Sequence, residues 1–187
     1  MCAFSFTAAH LWPAKMVQQL LGKLLDQGLN VQANTSVTSV SSSTDDAGRW
    51  TIQTPRGAIK SPKIVYATNG FSSQLLPEYA RSITPIRGVC SHIDSPKGKN
   101  SPHLVNTYAL RFNDRNFDYL IPRADGSIIV GGATARFWAN RKRWFDNVQD
   151  DRLVDEAVPY FDGYMQRNFR GWENSEAKTK KVWTGSK

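Results

Sequence analysis

The apolar positions of this chain change period as it proceeds. Met16, Leu20 and Leu24 recur at fourfold spacing, as do Val17, Leu21 and Leu25, and together they make one wide apolar face. This predicts a helix over residues 13–27. Pro13 suits its first position, where a missing N–H leaves no bond unmade, and Gly28 suits the residue just past its end. The face reads as packing surface rather than a cofactor box. Strands follow: a short one at 31–33, then 36–41 with Val37 and Val40 as its apolar positions. Residues 49–54 return, with Trp50 and Ile52 on one face, after the turn Asp45-Asp46-Ala47-Gly48. Pro55-Arg56-Gly57 turns again into an edge at 58–60, which completes an antiparallel meander. Residues 64–67 are then apolar throughout, the pattern of a strand buried on both faces of a parallel sheet, running into Thr68-Asn69-Gly70.

From Ile83 the pattern changes. Pro85-Ile86-Arg87-Gly88 leads into an extended segment over 89–93, and 95–102 is a polar loop rich in Lys, Gly and Pro. Strands are predicted at 104–112 and 118–123 around Asn113-Asp114-Arg115-Asn116, with a hairpin turn at Ala124-Asp125-Gly126 and a return strand at 127–131. A second helical stretch spans 151–168, with Leu153, Val154, Ala157, Val158, Phe161 and Met165 as its stripe. Pro159 and Gly163 divide it into two shorter pieces. Residues 178–183 close the pattern as a last strand.

Composition narrows the class. The chain has 187 residues, 40% of them apolar, and its nine Phe, six Trp and six Tyr need burial, so a disordered chain is excluded. No apolar run approaches the roughly 18 residues of a membrane span, and no membrane partner is expected. The start, M-C-A-F-S-F-T-A-A-H-L-W-P, lacks a basic leader, and Ser, Thr and His break its apolar stretch. It is not read as a signal peptide, and a cytoplasmic or other intracellular location is expected. Without a secretory signal, the sequon at Asn34-Thr35-Ser36 is a chance match. Cys2 and Cys90 are the only cysteines, which argues against a disulfide scaffold or a CxxC site. His10, His92 and His103 have no metal-ligand spacing, so no metal is expected. Net charge is +8, but the basic residues are scattered apart from Arg141-Lys142-Arg143 and Lys178 with Lys180-Lys181. No nucleic-acid-binding motif accompanies them, and they read as solvated faces.

Several positions could carry chemistry. Ala67, Thr68, Asn69 and Gly70 stand at a predicted strand's carboxyl end, where small residues let backbone N–H groups approach a phosphate or ribose. A plain strand-to-loop turn accounts for them equally. Val37 could offer its backbone to an adenine edge, or simply pack. Arg87, beside Gly88, could neutralise an anion or flank a ring face, or be an ordinary turn arginine. The phenol of Tyr119 could meet a substrate carboxylate, or the ring could be strand packing. Gly131-Gly132-Ala133-Thr134 lacks the Walker lysine pattern, and the S-x-x-K match at Ser175 to Lys178 has no partner motifs.

Taken in order, A-A-H-L-W-P-A-K-M-V, G-L-N-V with T-S-V, R-W-T-I-Q-T-P-R-G, I-V-Y-A-T-N-G, L-L-P-E, P-I-R-G, D-Y-L-I-P-R-A-D-G-S-I-I-V-G-G-A and V-W-T-G resemble the D-amino-acid-oxidase-like family of FAD-dependent oxidoreductases, especially its fungal members. The resemblance covers nearly all of the chain. It implies an α/β plus α+β fold: part of a Rossmann-like FAD-binding domain with a β-meander over 1–84, then part of an antiparallel-sheet substrate domain over 85–187. It also implies FAD as cofactor, a small-molecule amine or amino-acid substrate, and hydride transfer from a C–N centre to flavin. By motif match, Val37, Ala67, Thr68, Asn69, Gly70 and Arg87 would line the cofactor site, and Tyr119 would contact substrate. No G-x-G-x-x-G occurs anywhere in the chain. The expectation is therefore an internal piece of a longer oxidoreductase, inactive by itself. The competing expectation is a truncated, inactive product or a non-enzymatic binding module.

Overall fold

The computed structural model describes residues 3–95 and 102–187. The predicted loop at 95–102 therefore falls mostly outside the described residues, as does Cys2. The chain divides into two compact units. One comprises Met1–Thr68 with Ser72–Ala80, and the other Asn69–Phe71 with Arg81–Lys187.

The first unit opens with helix α1 (Pro13–Asp26), which has Pro13 in its first turn. It ends as the glycine predicts. Gly28 N–H donates to Leu25 O at 2.9 Å and Leu29 N–H donates to Leu24 O at 2.9 Å, while Gly28 takes φ +91°. These two bonds satisfy carbonyls that the last turn would otherwise leave bare. The meander also forms: β1 (Ser39–Val40), β2 (Trp50–Thr54) and β3 (Gly57–Ser61) pair antiparallel in that order. Asp45 closes the β1–β2 turn by accepting the N–H groups of Ala47 and Arg49.

Two predicted strands of this unit, 31–33 and 64–67, are absent and a third is shorter than predicted. Residues 31–33 form none, and 36–41 contracts to Ser39–Val40. The apolar run at 64–67 is not a strand either, and Val65 is 88% exposed. A strand of a parallel sheet exists only by pairing with neighbours, and the described residues place none beside this run. Beyond it lie the short helix α2 (Ser72–Leu75) and a 3-10 turn at Pro77–Tyr79.

The second unit is built on five antiparallel strands in the order β5-β6-β7-β4-β8. They are β4 (Arg87–Asp94), β5 (Tyr108–Arg111), β6 (Phe117–Pro122), β7 (Ile128–Gly132) and β8 (Lys178–Ser186). Every strand predicted after Ile83 is present. The 104–112 strand shortens to β5, and the last strand extends to Ser186. Helix α3 (Thr134–Phe137) follows β7. The second helical stretch breaks at Gly163, as expected, into a 3-10 segment, Asp155–Phe161, and helix α4 (Tyr164–Asn168), whereas Pro159 lies inside the 3-10 segment and does not end it.

Strand β4 alternates strictly. Arg87, Val89, Ser91 and Ile93 are buried, while Gly88, Cys90 and His92 are half-covered. The first set faces a core completed by Leu120, Ile128 and Val130 from the sheet and by Phe137, Val154, Phe161, Tyr164 and Met165 from the segments beyond it. Asp118 ties this core together. Only 2% exposed, its Oδ1 accepts the Ala133 N–H at 3.0 Å, and its Oδ2 accepts the hydroxyls of Tyr160 at 2.5 Å and Tyr164 at 2.8 Å. Gly132 makes room for it: at φ +148°, a Cβ there would sit 1.9 Å from Asp118 Oδ1.

Candidate functional site

The half-covered face of the second unit's sheet brings together the residues best arranged for ligand chemistry. Tyr119 on β6 and Cys90 on β4 both lie opposite Gly131 of the intervening strand. Glycine is required there, because a Cβ on residue 131 would come within 2.0 Å of the Tyr119 ring. The phenol thus lies across β7, and its oxygen reaches 2.9 Å from Cys90 Sγ. Burial, reinforced by the Cys90 contact, raises the Tyr119 pKa well above its usual value. Burial likewise pushes the Cys90 thiol up, against the opposing effect of the tyrosine hydrogen bond. Both groups stay protonated near neutral pH. Tyr119 is therefore a neutral donor, and Cys90 is not a thiolate nucleophile.

Beside this pair the surface opens. Gly88 of β4 pairs with Gly185 of β8, and Cys90 pairs with Trp183. A Cβ on either glycine would meet nothing within 4 Å. Two cross-strand glycines leave bare backbone as a floor, with Trp183, Cys90 and Tyr119 standing along it on the same face. A flat ring or a small molecule can approach a sheet closely only where such side chains are missing.

The other candidates lie elsewhere. Arg87 is on the opposite, covered face from Tyr119 and is 3% exposed. Its guanidinium donates to the carbonyl of Arg143 at 2.9 Å and to that of Arg152. Val37 lies in the extended run before β1, 39% exposed, and among the described residues its backbone takes no hydrogen-bond partner. Ala67 and Thr68 lie in irregular chain, where Thr68 Oγ1 and Ser72 Oγ share a hydrogen bond at 2.8 Å. Asn69 at φ +45° and Gly70 begin a 3-10 turn. Gly70 is needed for close packing: a Cβ would meet Lys187 O at 3.1 Å and Pro85 Cβ at 3.2 Å.

The P-I-R-G and V-W-T-G motifs contain Gly88 and Gly185, yet nothing in their sequence spacing announces that the two pair. Cys90 and Trp183 were likewise not singled out as site residues, because only the β4–β8 register places them beside one another.

A β-meander with an amphipathic helix, and a separate antiparallel sheet bearing an open glycine floor, define a mixed α/β protein of the flavoprotein type. The family model for FAD-dependent oxidoreductases matches residues 2–186, and the chain belongs to that family. None of the curated proteins matches it. Among solved structures, a triple mutant of the flavin-dependent brominase Bmp2 is similar in fold, with a TM-score of 0.53 and 12% identity. The match covers 93% of this chain and 44% of that one, so the chain spans less than half the length of this structural relative.

FAD is the family's cofactor. The residues present fit it in part. The bare floor at Gly88 and Gly185 leaves room for a flat ring. Among the described residues, none forms a cradle for the pyrophosphate. No G-x-G-x-x-G occurs, and backbone and a proline already occupy the space against Gly70.

Proposed function

We propose that this chain contributes the substrate face and part of the adenine site of an FAD-dependent oxidoreductase acting on a small amine or amino acid. The observation that carries the reading is the open glycine pair Gly88–Gly185 beside the protonated phenol of Tyr119. Bound FAD would supply a two-electron acceptor for a hydride from the carbon next to nitrogen. The chain's own work is positioning. Tyr119 donates a hydrogen bond to a substrate carboxylate without carrying charge itself, and the adjacent Cys90 and Gly131 hold its ring in place. Trp183 shields one side of the floor from water. Val37 meets the adenine through its backbone, and Ala67, Thr68, Asn69 and Gly70 border the cofactor without gripping its phosphates. Arg87 supports the floor from beneath, holding the 143–152 segment against β4.

The chain as it stands holds FAD weakly and does not turn over, because the phosphate-binding groups are not among its residues. The exposed apolar face of α1 supports the same reading, since a further layer supplied by a longer polypeptide would cover it. Titration of the chain with FAD, followed by flavin fluorescence, tests the weak binding. A yellow, stoichiometrically flavinated protein would overturn it. In a flavinated form carrying further family sequence, mixing with a panel of amines and amino acids should bleach the flavin. Tyr119→Phe should then raise KM for carboxylate-bearing substrates about tenfold, the loss of one hydrogen bond to a charged group. No bleaching by any C–N substrate would sink the substrate class.

A further inference from the structure

On the covered side of the sheet, away from Tyr119, a cavity of about 370 Å³ opens beside the Arg141–Arg143 turn. Its walls carry Arg87, Lys142, Arg143 and Arg152, together with the amides of Asn140 and Gln149. Among the described residues, no carboxylate lines it, and Leu153 is its single apolar wall residue.

Three carboxylates stand near enough to matter. Glu156 accepts a hydrogen bond from Arg143 Nε at 3.0 Å. Asp150 accepts the Ser186 N–H, and with Asp151 it acts on Arg87 through space alone. Lys142 and Arg152 have no ion-pair partner among the described residues. The cavity therefore keeps an excess of positive charge.

A second observation points the same way. Arg87 is 97% buried, and although its two terminal nitrogens are satisfied by carbonyls, its Nε–H has no acceptor among the described residues. An unpaired buried donor on a residue that lines the cavity calls for an acceptor, which a water or a bound ion can supply. Guanidinium and ammonium groups converging on a polar cavity match the oxygens of a phosphate group, and the volume exceeds that of a lone phosphate.

We propose that this cavity binds a small polyvalent oxyanion of the phosphate class, held by Lys142, Arg143 and Arg152 with the Arg87 Nε–H at its base. The site is separate from the glycine floor and does not depend on the oxidoreductase reading.

Inorganic pyrophosphate is the probe. Calorimetric titration of the full chain at low salt should show saturable binding at one site. Lys142→Ala with Arg152→Ala should weaken it at least tenfold with the circular dichroism spectrum intact, and binding should fall as salt rises. Arg111→Ala with Arg115→Ala, on the β5–β6 hairpin, should change nothing. Equal weakening by the hairpin pair, or no saturation, would overturn the site. Should the Lys142/Arg152 variant not fold, the Arg87 Nε–H resonance of the unmodified chain decides: a shift on adding pyrophosphate supports the site, and no shift refutes it. Unchanged FAD affinity in the Lys142/Arg152 variant separates this result from any failure of the flavin reading.

Discussion

Helix α1 in the first unit has six apolar residues on its predicted face and buries none of them, whereas β4 in the second alternates so that Val89 and Ile93 are almost fully covered. The same contrast runs through both units. Among the described residues, every buried apolar residue of the core lies between Val89 and Ala177, in the second unit, while Met16, Val17, Leu20, Leu24 and Leu25 stay open to solvent. Hydrophobic periodicity states which face an element will bury. It does not supply the layer that covers that face. Local hydrogen bonds explain how the first unit keeps its secondary structure regardless: the glycine cap of α1 and the Asp45 turn each satisfy backbone groups within a few residues.

Substitutions in the two units should therefore differ sharply in cost. Asp118→Ala should have the largest effect, about 4 kcal/mol, because it strands one buried and one half-buried tyrosine hydroxyl and a buried N–H. Urea denaturation followed by near-ultraviolet circular dichroism would measure it, and a loss below 1 kcal/mol would mean that the hub does not hold the core. Gly132→Ala should follow at about 3 kcal/mol, since a Cβ would strain the backbone at φ +148° and displace the same carboxylate. Tyr164→Phe removes one of the three donors and should cost about 2 kcal/mol by the same assay.

In the first unit, Leu20→Ser should cost no more than about 0.5 kcal/mol in the same urea denaturation, as for an exposed position. A cost like that of Tyr164→Phe would show that the helix face is covered after all, and would erase the contrast.

The smallest effect concerns pH. The Arg49 N–H, and then the Lys60 side chain, hold the Asp45 carboxyl down at about 2. A depressed pKa stabilises the folded hairpin above the unfolded value near 4, and that contribution disappears as pH falls toward 2. Carbon-13 titration of the Asp45 carboxyl should find that midpoint, and Lys60→Ala should move it upward.

Much of the fold was legible in the residues, for identifiable reasons. Pro13 and Gly28 bracketed α1, Asp45 and Gly48 set the first turn, and Gly163 broke the second helical stretch where the structure breaks it. Each of these acts through its own backbone, so no distant partner is needed. The run at 64–67 misled for the opposite reason: an apolar tetrapeptide becomes a buried strand only when neighbouring strands flank it.

The site divides along the same line. Tyr119 was a candidate by its motif, and β6 puts it on the sheet face that bears the glycine floor. Arg87, from an equally good motif, turns to the other face, because β4 alternates and its odd-numbered positions meet the core. Sequence alone determined the turns, caps, strand periods and family motifs, since these depend on neighbours along the chain. Only the tertiary structure decided that Gly88 meets Gly185, that Tyr119 crosses Gly131 to reach Cys90, and that four cations line one cavity. Those contacts follow from strand register and loop packing between segments tens of residues apart, which no local pattern encodes.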